Sequence, residues 1–167
     1  MKSIYFKNFL ATAVMVLVSF LMIGVAFLFI GQSFVIKSHK DSMEQNAKAV
    51  TKYLVSMSSS RYFDDVMLRV TLNVSETLSG NQVLLTNTDG LVFSCSEEIG
   101  RCQHIGSYVP EYYINALQRL GSLDTTTDLG GLYETQRYVY AIPLSLDESS
   151  EPLGYIFVST DKSTIIG

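Results

Sequence analysis

No charged residue occurs between Lys7 and Lys37. The stretch from Asn8 to Ile30 is almost wholly apolar and continues through Gly31 to Ile36. About 20 apolar residues suffice for a helix to cross roughly 30 Å of bilayer hydrocarbon, so this run can span with some tilt. Its polar interruptions, Thr12 and Ser19, can satisfy their hydroxyls on carbonyls of the helix's own preceding turn. A cleaved secretion signal would have an apolar core of about 7–15 residues before a small-residue cleavage site. The core here is much longer, and Gly31-Gln32-Ser33 imitates such a site only weakly. A core helix of a globular domain would show a polar face. The sequence therefore predicts a transmembrane helix over residues 8–34, within a membrane segment bounded at residue 36.

The remaining 130 or so residues make one domain's worth of chain. Net charge is −4 over 167 residues, and because Lys2 and Lys7 precede the span, the rest carries −6. A mildly acidic domain does not offer the basic face that nucleic acid requires. Lys37, Lys40, Lys48 and Lys52 follow the span closely, which by itself leans toward a cytoplasmic domain. Two features oppose this. Long domains after a short N-terminal tail translocate largely regardless of charge. The two cysteines, Cys95 and Cys102, come as a pair, and a disulfide between them would persist only in an oxidising compartment. The reading is an extracytoplasmic domain.

Beyond the span, Met43, Ala47, Val50, Leu54 and Met57 recur at three- and four-residue steps, predicting a helix over 37–57 with a narrow apolar stripe. The stripe fits either a dimer seam or a face packed on the helix's own domain. After Ser58-Ser59-Ser60, a second helix is expected, capped by Ser60, with Tyr62, Phe63, Val66, Met67, Val70, Val74 and Leu78 on its apolar face and Gly80 at its stop. Val83–Thr86 and Leu91–Cys95 read as strands joined at Asn87-Thr88-Asp89-Gly90, an Asp-Gly hairpin signal. Pro110 sits at a helix start, Tyr113, Ile114, Leu117 and Leu120 form that helix's buried face, and Gly121 ends it. Thr125–Thr127 makes a short strand. Tyr133–Leu144 makes the strongest one, apolar on both faces around Tyr138–Ile142 and hence expected at the sheet's centre. A polar loop over 147–152 leads to a last strand over 153–159, and Thr160–Ser163 opens a further helix. The fold class is α+β: a transmembrane helix, a long helix and a small antiparallel sheet with the early helices on one face.

Four segments, taken in order, carry a resemblance. They are Val83–Ser94, His104–Pro110, Tyr138–Leu144 and Gly154–Thr160. Together they resemble the external PAS-like sensor, of single Cache or PDC type, of bacterial membrane histidine kinases. The resemblance implies a tail (1–7), a transmembrane segment (8–36), a sensor domain (37–160) and the start of a following transmembrane helix (161–167). In that family a HAMP linker and a kinase core come next. The chain then reads as part of a longer two-pass protein, the signal-sensing input of a two-component system. The resemblance further implies a homodimer, a small-molecule or ion ligand, and a response regulator reached through the kinase core. The alternatives are a stand-alone membrane-anchored binding protein, or the sensor of a chemotaxis or cyclic-dinucleotide receptor.

Catalytic chemistry finds no motif in this sequence. His39 lacks the Glu and Pro of a kinase phosphoacceptor box, and there is neither a phosphate-binding Gly-Lys-Ser/Thr loop nor a Gly-x-Ser-x-Gly elbow. No cofactor is expected. Cys95, Cys102 and His104 could hold zinc, but the C-x₆-C spacing is unlike the usual close pairs, and a disulfide is the preferred reading. Candidate ligand-binding residues are Arg137, Tyr138 and Tyr140, because arginine grips carboxylates bidentately and tyrosines can wall a pocket. Strand alternation places Arg137 with Val139 on one face and Tyr138 with Tyr140 on the other. Core tyrosines and an exposed arginine remain the plainer alternative.

Overall fold

A computed structural model describes residues 4–58, 65–97, 102–145 and 151–162, with side chains described for 5–29, 37–56, 68–97, 102–145 and 151–162. The chain forms two compact units, residues 1–38 and 39–167. The first is the N-terminal part of a single helix, α1 (Ile4–Ser58). Within it, Tyr5–Phe29 is long and apolar enough to cross a membrane. Thr12 and Ser19 donate their hydroxyls to the carbonyls of Asn8 and Met15, so neither polar side chain is left unsatisfied.

The second unit comprises the rest of α1, then α2 (Asp65–Ser79), β1 (Gln82–Thr86), β2 (Val92–Cys95), α3 (Glu111–Leu120), β3 (Leu123–Thr127), β4 (Arg137–Leu144) and β5 (Gly154–Asp161). The five strands form one antiparallel sheet in the order β2-β1-β5-β4-β3. β3, β4 and β5 run as a meander, and β5 then pairs with β1. The expected central strand is therefore corrected. β5 sits in the middle, buried from Gly154 to Thr160, while β4 lies one place toward the edge. β4 also starts at Arg137 rather than Tyr133, since a turn over 129–132 and a bend over 133–135 precede it.

Alternation along the strands divides the core into two layers. On one face Val83, Leu85, Ile156 and Val158 meet Met43, Ala47, Val50 and Leu54 of α1 and Leu68 and Leu72 of α2. The α1 stripe is thus buried within its own domain and does not offer a dimer seam; Met57 falls outside the described side chains. The apolar face of α2 is also corrected. Leu68 and Leu72 turn inward, whereas Val70, Val74 and Leu78 are 51%, 49% and 83% exposed. Ser60, Tyr62 and Phe63, and the side chains of Val66 and Met67, lie outside the described residues. So do residues 146–150 of the expected loop and 163–167 of the expected second span.

On the opposite face Leu84, Tyr155, Phe157, Val139 and Ala141 pack against Tyr113, Ile114 and Leu117 of α3. Leu120, expected in that face, is exposed. Gly121 ends α3 in the left-handed conformation, its N–H bonded to the Leu117 carbonyl. The β1–β2 turn is held by Asn87, whose Oδ1 accepts from the N–H groups of Asp89 and Leu91. Gly90 takes φ 86° there, and a Cβ would stand 2.9 Å from the Val109 carbonyl oxygen.

Candidate functional site

The α3 face of the sheet ends in a polar corner. It is built from the end of α2, the first residue of β1, the segment following β2, the β3–β4 connection, and the start of β4 beside the end of β5. They enclose an open cleft of about 1240 Å³ lined by Asn73, Glu76, Thr77, Gly80, Gln82, Glu97, Gln103, His104, Leu132, Tyr133, Glu134, Thr135, Arg137 and Asp161.

Register explains why these side chains meet. Gln82 is opposite Ser159, and Arg137 is opposite Asp161. Gln82, Arg137 and Ser159 all project from the same face, at the end where the apolar residues of that face run out. Arg137 Nη1 donates to Gln82 Oε1 and, at 3.3 Å, to Ser159 Oγ. Its guanidinium lies 4.8 Å from the centre of the Tyr133 ring, within cation–π range. The Ser159 hydroxyl donates to Tyr133 Oη at 2.9 Å. Gln82 Nε2 donates to Glu97 Oε1 at 2.5 Å, and His104 Nε2 stands 3.9 Å from that same oxygen. The His104 ring meets the Tyr133 ring edge-on at 5.3 Å. Burial pushes the Tyr133 hydroxyl up to about 12, partly offset by its bond to Ser159 and the nearby Arg137 charge.

Cys95 and Cys102 are joined in a disulfide with a Cα–Cα distance of 6.5 Å. It ties the end of β2 to the segment carrying Gln103 and His104. Ser96 extends the ladder beyond β2: its N–H bonds to the Val83 carbonyl, and its Oγ accepts from the Val83 N–H. Asn73 of α2 donates to the Ser96 carbonyl at 3.1 Å, fastening the helix to this wall.

Of the residues singled out from sequence, Arg137 lies in the cleft. Tyr138 and Tyr140 lie on the other side of the sheet, half-buried against the α1 and α2 layer, so the three do not converge. Sequence reasoning passed over Gln82, Glu97, Tyr133 and Ser159. Their one local signal is polarity at the ends of otherwise apolar strands, at Gln82 and Ser159. The pairing that unites them joins residues 55 and 26 positions apart.

Solved structures share this architecture. The sensor domain of DcuS from E. coli superposes with a TM-score of 0.54 at 13% identity, over 77% of this chain and 96% of that one. An extracellular ligand binding receptor from Desulfohalobium retbaense gives 0.62 at 12% identity, over 81% of this chain and 25% of that one. The chain shares the fold of these two domains. The ligand-binding domain of the Campylobacter jejuni chemoreceptor Tlp3, solved with 4-methylisoleucine, gives 0.55 at 12% identity, over 81% of this chain and 59% of that one. At these identities the likeness is one of fold. No protein-family model matches the chain, nor does any curated protein sequence.

Proposed function

We propose that the chain is the input module of a transmembrane receptor. In this reading α1 holds the PAS-like domain outside the membrane, and the cleft around Arg137 takes a small polar ligand. The layout is a cytoplasmic tail (1–7), a span (8–36), the sensor (37–160) and the start of a second span (161–167). The single observation carrying the reading is the bond from Arg137 to Ser159. It places the cleft's guanidinium directly on β5, the last strand before the expected second span. A ligand that draws on Arg137 would bias the position of β5, and a small displacement of that kind can be passed on as a helix shift. Glu76, Glu97, Glu134 and Asp161 line the same cleft as Arg137, so a ligand bearing both charges finds partners of both signs there.

The test is thermal denaturation of the full chain in detergent against a panel of amino acids, carboxylic acids and divalent cations. One class should raise the melting temperature with saturation, and Arg137→Ala should abolish that rise. A panel-wide null, or a rise unaffected by Arg137→Ala, would overturn the assignment of the cleft.

The output we propose is a histidine kinase acting on a response regulator, on the strength of the four resembling segments. The coding sequence beyond codon 167 decides it. A second apolar span followed by a His-Glu-x-x-x-Pro box is expected, and a stop codon or a different output module would contradict it.

A further inference from the structure

We infer that Cys95, Glu97, Cys102 and His104 form a divalent zinc-type site in the reduced protein, one that the disulfide closes off when oxidised. The Sγ atoms of Cys95 and Cys102 and a Glu97 carboxylate oxygen all lie within 4.8 Å of one another. His104 Nε2 stands 3.9 Å from Glu97 Oε1. Two thiolates, one carboxylate and one imidazole make a donor set suited to tetrahedral zinc. His104 lies outside that 4.8 Å group, so closing the shell requires its ring to move toward the sulfurs, and the sulfurs to separate once reduced. With Zn–S of about 2.3 Å, tetrahedral ligands put the two sulfurs about 3.8 Å apart, and a Cα–Cα distance of 6.5 Å leaves room for both. With Zn–N and Zn–O near 2.0–2.1 Å, the His and Glu atoms would sit about 3.4 Å apart. That is about half an ångström closer than they are now. Cys95 is 3% exposed, and the side chains of His104 and Glu97 are 15% and 30% exposed. The ion would thus be held at a cleft wall, screened on one side and reachable from the other.

The exchange balances. A dithiol reductant gives two electrons and two protons to the Cys95–Cys102 bond, yielding two thiols and its own disulfide. The metal ion then displaces the two thiol protons to solvent. Glu97 entering the shell withdraws its oxygen from Gln82 Nε2, the contact that now continues to Arg137. Metal uptake would therefore reach the cleft's guanidinium through a single side chain.

The experiment uses the full chain in detergent, reduced without oxygen, freed of reductant and titrated with Co²⁺. One equivalent should give thiolate-to-cobalt charge-transfer absorption and the intense visible bands of a tetrahedral site, and Zn²⁺ should displace it. The oxidised chain should show neither. Glu97→Gln and His104→Ala should each weaken binding ten-fold or more, and the double variant Cys95→Ser with Cys102→Ser should lose the charge-transfer band. Near-ultraviolet circular dichroism of the tyrosines, followed on the same samples, should be native-like in the metal-bound form. Absent cobalt spectra in the reduced chain, equal spectra in the oxidised chain, affinity indifferent to Glu97 and His104, or metal that fails to give the native tyrosine signal would each overturn the site.

Discussion

Replacing Leu54 with alanine separates the two roles its stripe could play. Leu54 is 4% exposed and packs among Val50, Leu68, Leu72 and the sheet residues of the α1 layer. Truncation there removes buried methyl groups and leaves a cavity, a change that costs about 2–5 kcal/mol. For a domain of this size, 1 kcal/mol moves the melting temperature by about 4 °C. A fall of about 8–20 °C is therefore expected. Val70→Ala is the matched control on α2: its side chain is 51% exposed, and it should change stability by no more than about 0.5 kcal/mol. The assay is thermal denaturation of the full chain in detergent, followed by circular dichroism at several protein concentrations. The Leu54→Ala shift should not depend on concentration. A melting temperature close to that of the parent, together with loss of a dimer on dilution, would show that the stripe serves association and that its burial in the domain is wrong.

Three further outcomes follow from the same structure. A Cβ at Gly154 would stand 2.0 Å from the Thr86 carbonyl oxygen, so Gly154→Ala should force β1 and β5 apart and cost about 3 kcal/mol; Gly131→Ala, where φ is +89° but nothing lies within 4 Å, should cost only about 1–2 kcal/mol in the same melt. The Tyr133 hydroxyl titrates near 12 when folded and near 10 when unfolded, so its contribution is complete below pH 10 and is lost as pH rises through 12. Urea melts between pH 9 and 12 should show Tyr133→Phe losing less stability across that window than the parent. Reducing the Cys95–Cys102 bond, which closes a loop of sequence separation 7, should lower stability by about 2–3 kcal/mol in the loop-entropy model, measured by urea denaturation in metal-free buffer with and without reductant.

What the sequence displays depends on how local the deciding interaction is. The α1 stripe, the Asn87–Gly90 turn and the Gly121 stop each rest on residues within a turn or two of one another, and each was legible. The α2 face was not, because Val70-Val74-Leu78 and Leu68-Leu72 are both apolar sets at four-residue spacing, and only the sheet decides which of them is covered. The centre of the sheet was misplaced for a related reason. β4 shows a long apolar run, but the place of β5 is fixed by its pairing with β1, some 70 residues earlier in the chain. The cleft is the extreme case. The parity of Arg137 against Tyr138 and Tyr140 could be read from strand alternation, whereas the meeting of Arg137 with Gln82, Glu97 and Tyr133 depends on register across three strands and two intervening segments.

An external sensor requires the cleft to face the outside of the cell. Glu134 is exposed at the cleft's edge, and both native cysteines are held in the disulfide, so Glu134→Cys provides a single reactive thiol there. A membrane-impermeant maleimide applied to intact cells carrying the full chain measures its side directly. Labelling as complete on intact cells as on opened membranes is the expected result. Labelling that appears only once the membranes are opened would place the domain in the cytoplasm and contradict an external sensor.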